Sequence, residues 1–176
     1  MRPMAPFLVR HRRPSLTMRT LCTAFVQIFN PPHRVIQDLD GRPYLTRYYL
    51  LHVARRWLPG VFLHHFHRGD GDRDTHNHPW RRAISVILVA GYIEERLVGS
   101  ELVKRVVRPW SINFINANDY HRVDLLEHDA WSLFIAGKKE QDWGFKIRET
   151  GEYIDHEEYE RRKYAAPKYD AAATGD

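Results

Sequence analysis

Two histidines in the first half of the chain stand two positions apart, His76 and His78. They lie in residues 70–80, which read Asp-Gly-Asp-Arg-Asp-Thr-His-Asn-His-Pro-Trp. In an extended segment, side chains two positions apart point to the same side, so both imidazoles could bind one ion. A third histidine, His121, follows a turn-forming Asn-Ala-Asn-Asp sequence at 116–119. We expect neighbouring antiparallel strands to bring the three imidazoles together around a divalent metal.

Other side chains could take part in the same site. Asp74 shares a face with His76 and His78 in an extended segment, which makes it a candidate additional ligand. Arginines are suited to binding a carboxylate or a phosphate through two parallel hydrogen bonds. The candidate substrate-binding residues are Arg47, His65, His67, Arg82 and Arg122. Solvation or a salt bridge is the alternative for each arginine, and a hydrogen-bonded turn without metal is the alternative for the three histidines.

Short β-rich runs separated by turn residues make up most of the chain. Residues 61–67 alternate with a period of two, so that His65 and His67 share one face and His64 shares the other with two phenylalanines. Residues 83–92 are apolar enough for a strand buried on both faces, and we expect Glu94, Glu95 and Arg96 to return the chain to solvent. The further strand candidates are residues 44–53, 101–108, 111–115, 130–136 and 143–147 and a strand that starts at Tyr120 and includes His121.

The predicted fold class is all-β: an antiparallel β-barrel or sandwich of jelly-roll type, with an N-terminal arm and a short C-terminal helix. Asp155 and Glu158 fit a capping box for a helix over 156–164. The predicted division is a basic arm over 1–30, a barrel over 31–150, and a helix and tail over 151–176.

The basic residues are unevenly distributed. Residues 1–37 contain six arginines and no acidic residue, whereas the rest of the chain has 21 basic and 22 acidic residues. The arm could bind nucleic acid, but a solvated arm is favoured. One cysteine, Cys22, permits no internal disulfide, so we expect a cytoplasmic protein. The sequence has no apolar run of the ~20 residues that span a membrane. The oligomeric state stays open, with a homodimer as one option.

Gly71, His76, His78 and Gly91 lie close to the first motif of the cupin superfamily, and the sequence Asn-Ala-Asn-Asp-Tyr-His at 116–121 lies close to the second. Over residues 44–147 the chain resembles this superfamily of small β-barrels. The motifs His-x-His-Pro-Trp, Gly-Tyr-x-Glu and Tyr-His-Arg-Val are similar to those of small, poorly characterised cupin-like proteins of bacteria and their viruses.

One feature departs from the cupin pattern. Arg82 and Ala83 stand where a glutamate ligand is usual. The resemblance then extends to cupins with three histidines and no carboxylate, among them the thiol dioxygenases. It implies one divalent metal, iron(II) first, with zinc, nickel or manganese as alternatives. Such a cationic site favours an anionic ligand.

Three functions are consistent with these features. The first is a non-haem iron(II) oxygenase (an oxidoreductase of dioxygenase type) acting on a small polar or anionic substrate. The second is a metal-assisted isomerase, epimerase or lyase of a sugar or acid. The third is a barrel that binds a ligand without catalysis. The sequence has no glycine-rich phosphate loop, no serine nucleophile elbow and no Cys-x-x-Cys pair, which excludes several common enzyme classes.

Overall fold

The described part of the chain contains two helices and twelve β-strands. The computed structural model describes residues 15–37, 41–51, 60–70 and 74–165. In chain order the elements are α1 (Ser15–Phe29), β1 (His33–Gln37), β2 (Pro43–Leu51), β3 (Gly60–Phe66), β4 (Thr75–His76), β5 (Arg82–Val89), β6 (Tyr92–Val98), β7 (Glu101–Val107), β8 (Ile112–Asn116), β9 (His121–Leu125), β10 (Ala130–Ala136), β11 (Gly144–Lys146), β12 (Tyr153–Asp155) and α2 (His156–Ala165).

The strands form two antiparallel six-stranded sheets. The first has the order β1-β2-β3-β10-β5-β8, and the second has the order β12-β11-β4-β9-β6-β7. Apolar side chains from both sheets pack into shared clusters, for example Ile87 of the first sheet with Tyr92 and Val123 of the second. The core therefore lies between the sheets, and the predicted jelly-roll class is confirmed.

The sharp turn between β5 and β6 corrects one expected strand. Residues 83–92 are not one strand, because β5 ends at Val89 and the chain turns at Ala90 and Gly91, whose φ angles are 59° and 115°. A Cβ at Gly91 would lie 2.3 Å from the Val107 carbonyl oxygen, so only glycine fits without a shift. Strand β5 is also not fully buried on both faces: buried residues alternate with half-buried ones.

The acidic pair at the centre of β6 is buried, which contradicts the expectation that it returns the chain to solvent. Glu94 is 0% exposed and Glu95 is 4% exposed. Strand β6 pairs with β7 on one side and β9 on the other, so both of its edges are covered, and its inner face meets Asn113 of the first sheet, which hydrogen-bonds Glu94 at 3.0 Å. Glu95 forms an ion pair with Lys104 at 2.6 Å, whereas Glu94 points to the interior.

Helix α1 lies within the predicted N-terminal arm and packs on the outer face of the first sheet. Cys22 is buried in a cluster with Leu63 and Trp131, and Arg19 forms an ion pair with Asp129 at 2.8 Å. The most basic part of the arm, residues 1–14, lies outside the described residues. No helix in the described part of the chain is long and apolar enough to cross a membrane.

The C-terminal helix is confirmed as α2. Asp155 caps it by accepting a hydrogen bond from the Glu157 backbone N–H at 2.9 Å. Strand β12 pairs with β11, so the second sheet continues past the predicted barrel boundary at residue 150. The predicted tail beyond residue 165 lies outside the described residues.

Candidate metal centre

Three imidazoles meet where the short strand β4 pairs with β9. His76 of β4 lies directly opposite His121 of β9, and His78 follows two residues after His76. One ring nitrogen of each histidine lies within 4.8 Å of the other two. The Nε2 atoms of His78 and His121 are only 2.8 Å apart. The structure thus brings together all three histidines that the sequence proposed as metal ligands.

The segment that carries His76 and His78 is held by the neighbouring strand β11. Asn77 is buried between the two histidines, and its Oδ1 accepts a hydrogen bond from the Gly144 N–H at 2.8 Å. The Asn77 N–H donates to the Gly144 carbonyl at 3.1 Å, and the His78 carbonyl accepts from Gln141 at 3.2 Å. These bonds fix the backbone on both sides of His78, so its imidazole is held in place before any ligand binds.

His76 and His78 are uncharged near neutral pH. Burial lowers the pKa of His76 to about 4. Burial, followed by the nearby His121 and His76, lowers the pKa of His78 well below its usual value. Neutral imidazole is the form that binds metal ions, because the protonated ring has no lone pair to offer.

The donor set fits a divalent metal ion. Two unprotonated nitrogens at 2.8 Å repel each other unless a proton or a cation lies between them. One proton could serve the His78–His121 pair, but it would leave His76 pointing at the same place without a partner. One cation satisfies all three nitrogens at once, and imidazole suits iron, zinc, copper and nickel.

A buried carboxylate supports His121 from behind. The His121 Nδ1–H donates to Glu94 at 2.6 Å, which places the proton on Nδ1 and leaves Nε2 free for a metal. Glu94 also accepts hydrogen bonds from Arg105 at 2.5 Å and from Arg96 and Asn113, each at 3.0 Å. Although burial by itself would raise the pKa of Glu94, the bonds from His121, Asn113 and Arg105 hold it well below the usual value. Glu94 is therefore a carboxylate.

A second carboxylate lies beside His76. The Asp70 Oδ2 atom is 3.9 Å from His76 Nδ1 and accepts a hydrogen bond from the Val123 N–H at 2.7 Å. The Tyr44 hydroxyl donates to the other Asp70 oxygen. Sequence reasoning missed the roles of both Glu94 and Asp70. Asp70 stands six positions before His76 in the sequence, but nothing in the sequence showed that Glu94 is buried.

Asp74, the predicted additional ligand, lies apart from the three histidines. Its two oxygens accept hydrogen bonds from the Arg148 N–H at 2.9 Å and from the Tyr159 hydroxyl at 2.8 Å. Among the described residues, the group that could hold a metal contains His76, His78 and His121 but not Asp74. Asp74 ties β4 to helix α2.

His65 and His67 lie on the outer face of the first sheet, which packs against helix α1 and points away from the three histidines. His65 hydrogen-bonds Asp129 at 3.1 Å and stacks on Trp131 at 4.0 Å between ring centres. His67 shares a hydrogen bond with Thr46 at 2.8 Å. The period-two alternation placed them on one face as predicted, but that face is the outer one.

The three predicted arginines lie in different surroundings. The Arg82 side chain is exposed, and Arg122 forms an ion pair with Asp124 at 2.6 Å. Arg47 instead points between the sheets, where its Nε donates to His64 at 3.1 Å and its guanidinium lies 5.7 Å from the Trp80 ring centre. Sequence reasoning placed His64 on the face opposite His65 but did not connect it with the metal site.

Comparisons with known proteins agree with the fold. No protein-family model and no curated protein matches the chain. A crystal structure of the DMSP lyases RdDddP and RnDddQII matches with a TM-score of 0.52 and 16% identity, covering 70% of this chain and 65% of that chain. Iron(II) HppE in complex with substrate matches with a TM-score of 0.50 and 10% identity, covering 61% and 57%.

An uncharacterised protein with a double-stranded β-helix domain from Klebsiella pneumoniae also matches, with a TM-score of 0.46 and 12% identity, covering 63% of this chain and 90% of that one. The chain spans only a little over half the length of the HppE structures. At these identities the likeness shows the fold alone. The fold is a jelly roll of two antiparallel sheets, with a three-histidine cluster that could hold a metal.

Proposed function

We propose that this protein is a metal-dependent oxygenase that binds one divalent ion, preferably iron(II), through His76, His78 and His121. The observation that carries the proposal is the convergence of three imidazoles, in a group that contains no carboxylate among the described residues. Zinc, nickel and manganese stay candidates, because imidazole binds all of them and the cell decides which is loaded.

When bound, the ion would supply adjacent open positions for a substrate and dioxygen, as three-ligand iron(II) sites do. The protein's own contribution is to hold the three rings and to exclude water. The Glu94–His121 bond fixes one ring, and Asn77 fixes the segment that carries the other two. Trp80 and Phe134 contact His78 and shield that side of the site.

We assign substrate recognition to Arg47 among the predicted substrate-binding residues. Three neutral histidines leave the charge of a divalent ion uncompensated, so the site favours a small anion. Arg47 adds a positive charge on the same side of the interior as His78, whose pKa it helps to lower. The contacts of His65 and Arg122 direct them elsewhere.

A metal-assisted lyase or isomerase is the second candidate. The same three-histidine ion could act as a Lewis acid without consuming oxygen. The likeness to the structure of DMSP lyases, at a TM-score of 0.52, supports keeping this candidate. A barrel that binds ligand without turnover is the third.

Oxygen uptake separates these candidates. The full-length protein is loaded with iron(II) without air and mixed with panels of small carboxylates, thiols and phosphonates in an oxygen electrode, with products read by mass spectrometry. If the protein is an oxygenase, we expect oxygen uptake that depends on substrate. His121→Ala should abolish this uptake, whereas His65→Ala, which changes a histidine on the outer face, should retain it. Product formation without oxygen uptake would replace the oxygenase with the lyase or isomerase, and binding without product would support the ligand-binding barrel.

We place the protein in a reducing compartment such as the cytoplasm. Cys22 is the chain's one cysteine, and burial, together with the nearby Asp129, raises its thiol pKa to about 11. A buried thiol with a raised pKa reacts slowly, so its role is packing. We propose no nucleic-acid partner for the basic arm, and a homodimer stays open to measurement.

A further inference from the structure

Three polar side chains form a row across the inner face of the first sheet. Arg47 of β2 lies directly opposite His64 of β3, and His64 lies directly opposite Ser132 of β10. Directly opposed residues of antiparallel strands share a face and lie ~5 Å apart at Cβ. The row therefore places a cation, an imidazole and a hydroxyl side by side in the interior.

The guanidinium of Arg47 lacks a carboxylate partner among the residues that the structure describes. Within the described part of the chain, no aspartate or glutamate forms an ion pair with it, and its partners are His64 and Tyr49. Its other neighbours are aromatic, with the Phe62 ring centre at 5.3 Å and the Trp80 ring centre at 5.7 Å. A partly buried cation in such surroundings is costly unless an anion joins it.

The other two members of the row add hydrogen-bonding groups. The Ser132 hydroxyl is buried without a partner in the structure, and Ser132 is 1% exposed. His64 Nε2 accepts the Arg47 hydrogen bond, so the proton of this neutral ring is on Nδ1. A buried hydroxyl without a partner is unusual, because it has lost its hydrogen bonds to water and gained none from the protein.

The row lies close to the three histidines. Trp80 contacts both the row and the histidine cluster: the Arg47 guanidinium lies over its ring, and His78 stacks on it with ring centres 5.7 Å apart. Phe134 also contacts both the row and the histidine cluster: its ring centre is 4.8 Å from that of His64 and 6.3 Å from that of His78. The row and the histidine cluster therefore border the same two aromatic side chains.

We propose that Arg47, His64 and Ser132 form an oxyanion-binding subsite that holds a carboxylate-type group of the substrate while another group of the same molecule faces the three histidines. This inference rests on the proposed function for the second contact. It narrows the substrate class to small bifunctional acids. Arg47 supplies the charge, and Ser132 supplies a hydroxyl that can donate to the bound oxygen.

The test uses metal-free, full-length protein and two small probes, acetate and acetamide, which have the same shape and differ in charge. The signal is the Nε–Hε resonance of Arg47 in ¹⁵N NMR, identified by its loss in Arg47→Lys. Acetate is expected to shift this resonance in a saturable manner, with at least about tenfold weaker binding of acetamide. Ser132→Ala should weaken acetate by about tenfold. The matched control, Ser85→Ala, removes a hydroxyl that already bonds Tyr92 and should leave acetate binding unchanged.

Equal shifts with acetate and acetamide, or acetate binding that Ser132→Ala leaves intact, would overturn the subsite. Metal binding by the same samples is measured separately, by titration with cobalt(II). Cobalt binding without acetate binding defeats the subsite alone. Acetate binding without cobalt binding defeats the proposed function and leaves the anion site standing.

Discussion

The carboxylate behind His121 permits a sharp test, in which Glu94→Gln removes its charge but retains an oxygen that can accept the Nδ1–H bond. Glu94→Ala is less informative, because it removes the carboxylate partner of Arg105 and one of the two carboxylate partners of Arg96 and also leaves a cavity in the interior. Glutamine has nearly the same shape, so the protein should still fold.

The expected effect of Glu94→Gln follows from the 2.6 Å bond to His121. Removing partners behind metal-binding histidines costs about 10–100-fold in metal affinity. Because glutamine keeps the acceptor, the loss should fall near the lower end, about tenfold or ~1.4 kcal/mol. The charge of Glu94 makes the ring a stronger donor to the metal, and that contribution disappears.

The assay is an anaerobic competition between the protein and a chromogenic chelator for iron(II) or zinc, with circular dichroism to verify folding. The matched control is Glu95→Gln, the same substitution one position along β6. Glu95 pairs with Lys104 on the other face of the strand and should not affect metal affinity. Equal affinities for the parent, Glu94→Gln and Glu95→Gln would refute the role of Glu94.

Three further substitutions test other parts of the structure. Burial, followed by the nearby His67, lowers the pKa of His65 to about 4, so the unfolded chain binds this proton before the folded chain does. The free energy of unfolding should therefore fall by about 2 kcal/mol between pH 7 and pH 5. Urea unfolding of His65→Phe should lack that fall, and the same pH dependence in both proteins would contradict the reasoning. Asp74→Asn should leave metal affinity unchanged and lower the unfolding free energy by about 1 kcal/mol; weaker metal binding in a chelator competition would make Asp74 a ligand. Gly91→Ala should destabilise the protein by about 1–3 kcal/mol in urea because its Cβ meets the Val107 carbonyl, and an unchanged midpoint would contradict the close approach.

Local patterns predicted the fold class well because alternation and turn residues are visible over a few positions. The alternation of residues 61–67 put His65 and His67 on one face of β3, and the run 130–136 coincides with β10. Which face is inner depends on the position of helix α1, and α1 lies in a segment whose charges indicated only an arm. The sequence therefore could not tell that His64, rather than His65, faces the interior.

The histidine cluster was predictable, whereas its supporting groups were not. The spacing of two positions between His76 and His78 and the turn before His121 were enough to propose that three imidazoles meet. The packing of the inner face of β6 against the first sheet is a long-range property, and it makes Glu94, which bonds Asn113 there, a buried carboxylate instead of a surface charge. The usual glutamate ligand is absent, and two carboxylates stand behind the histidines instead.

Metal analysis combined with X-ray absorption shows whether three imidazoles of this protein bind a metal ion. Protein purified without air and supplied with iron(II) should contain about one ion per chain, with a spectrum of three imidazole ligands from the protein and no protein carboxylate. His76→Ala with His121→Ala should remove the ion, and His65→Ala should retain it. Substoichiometric metal in the parent after supplementation, or an ion that survives loss of His76 and His121, would contradict the account.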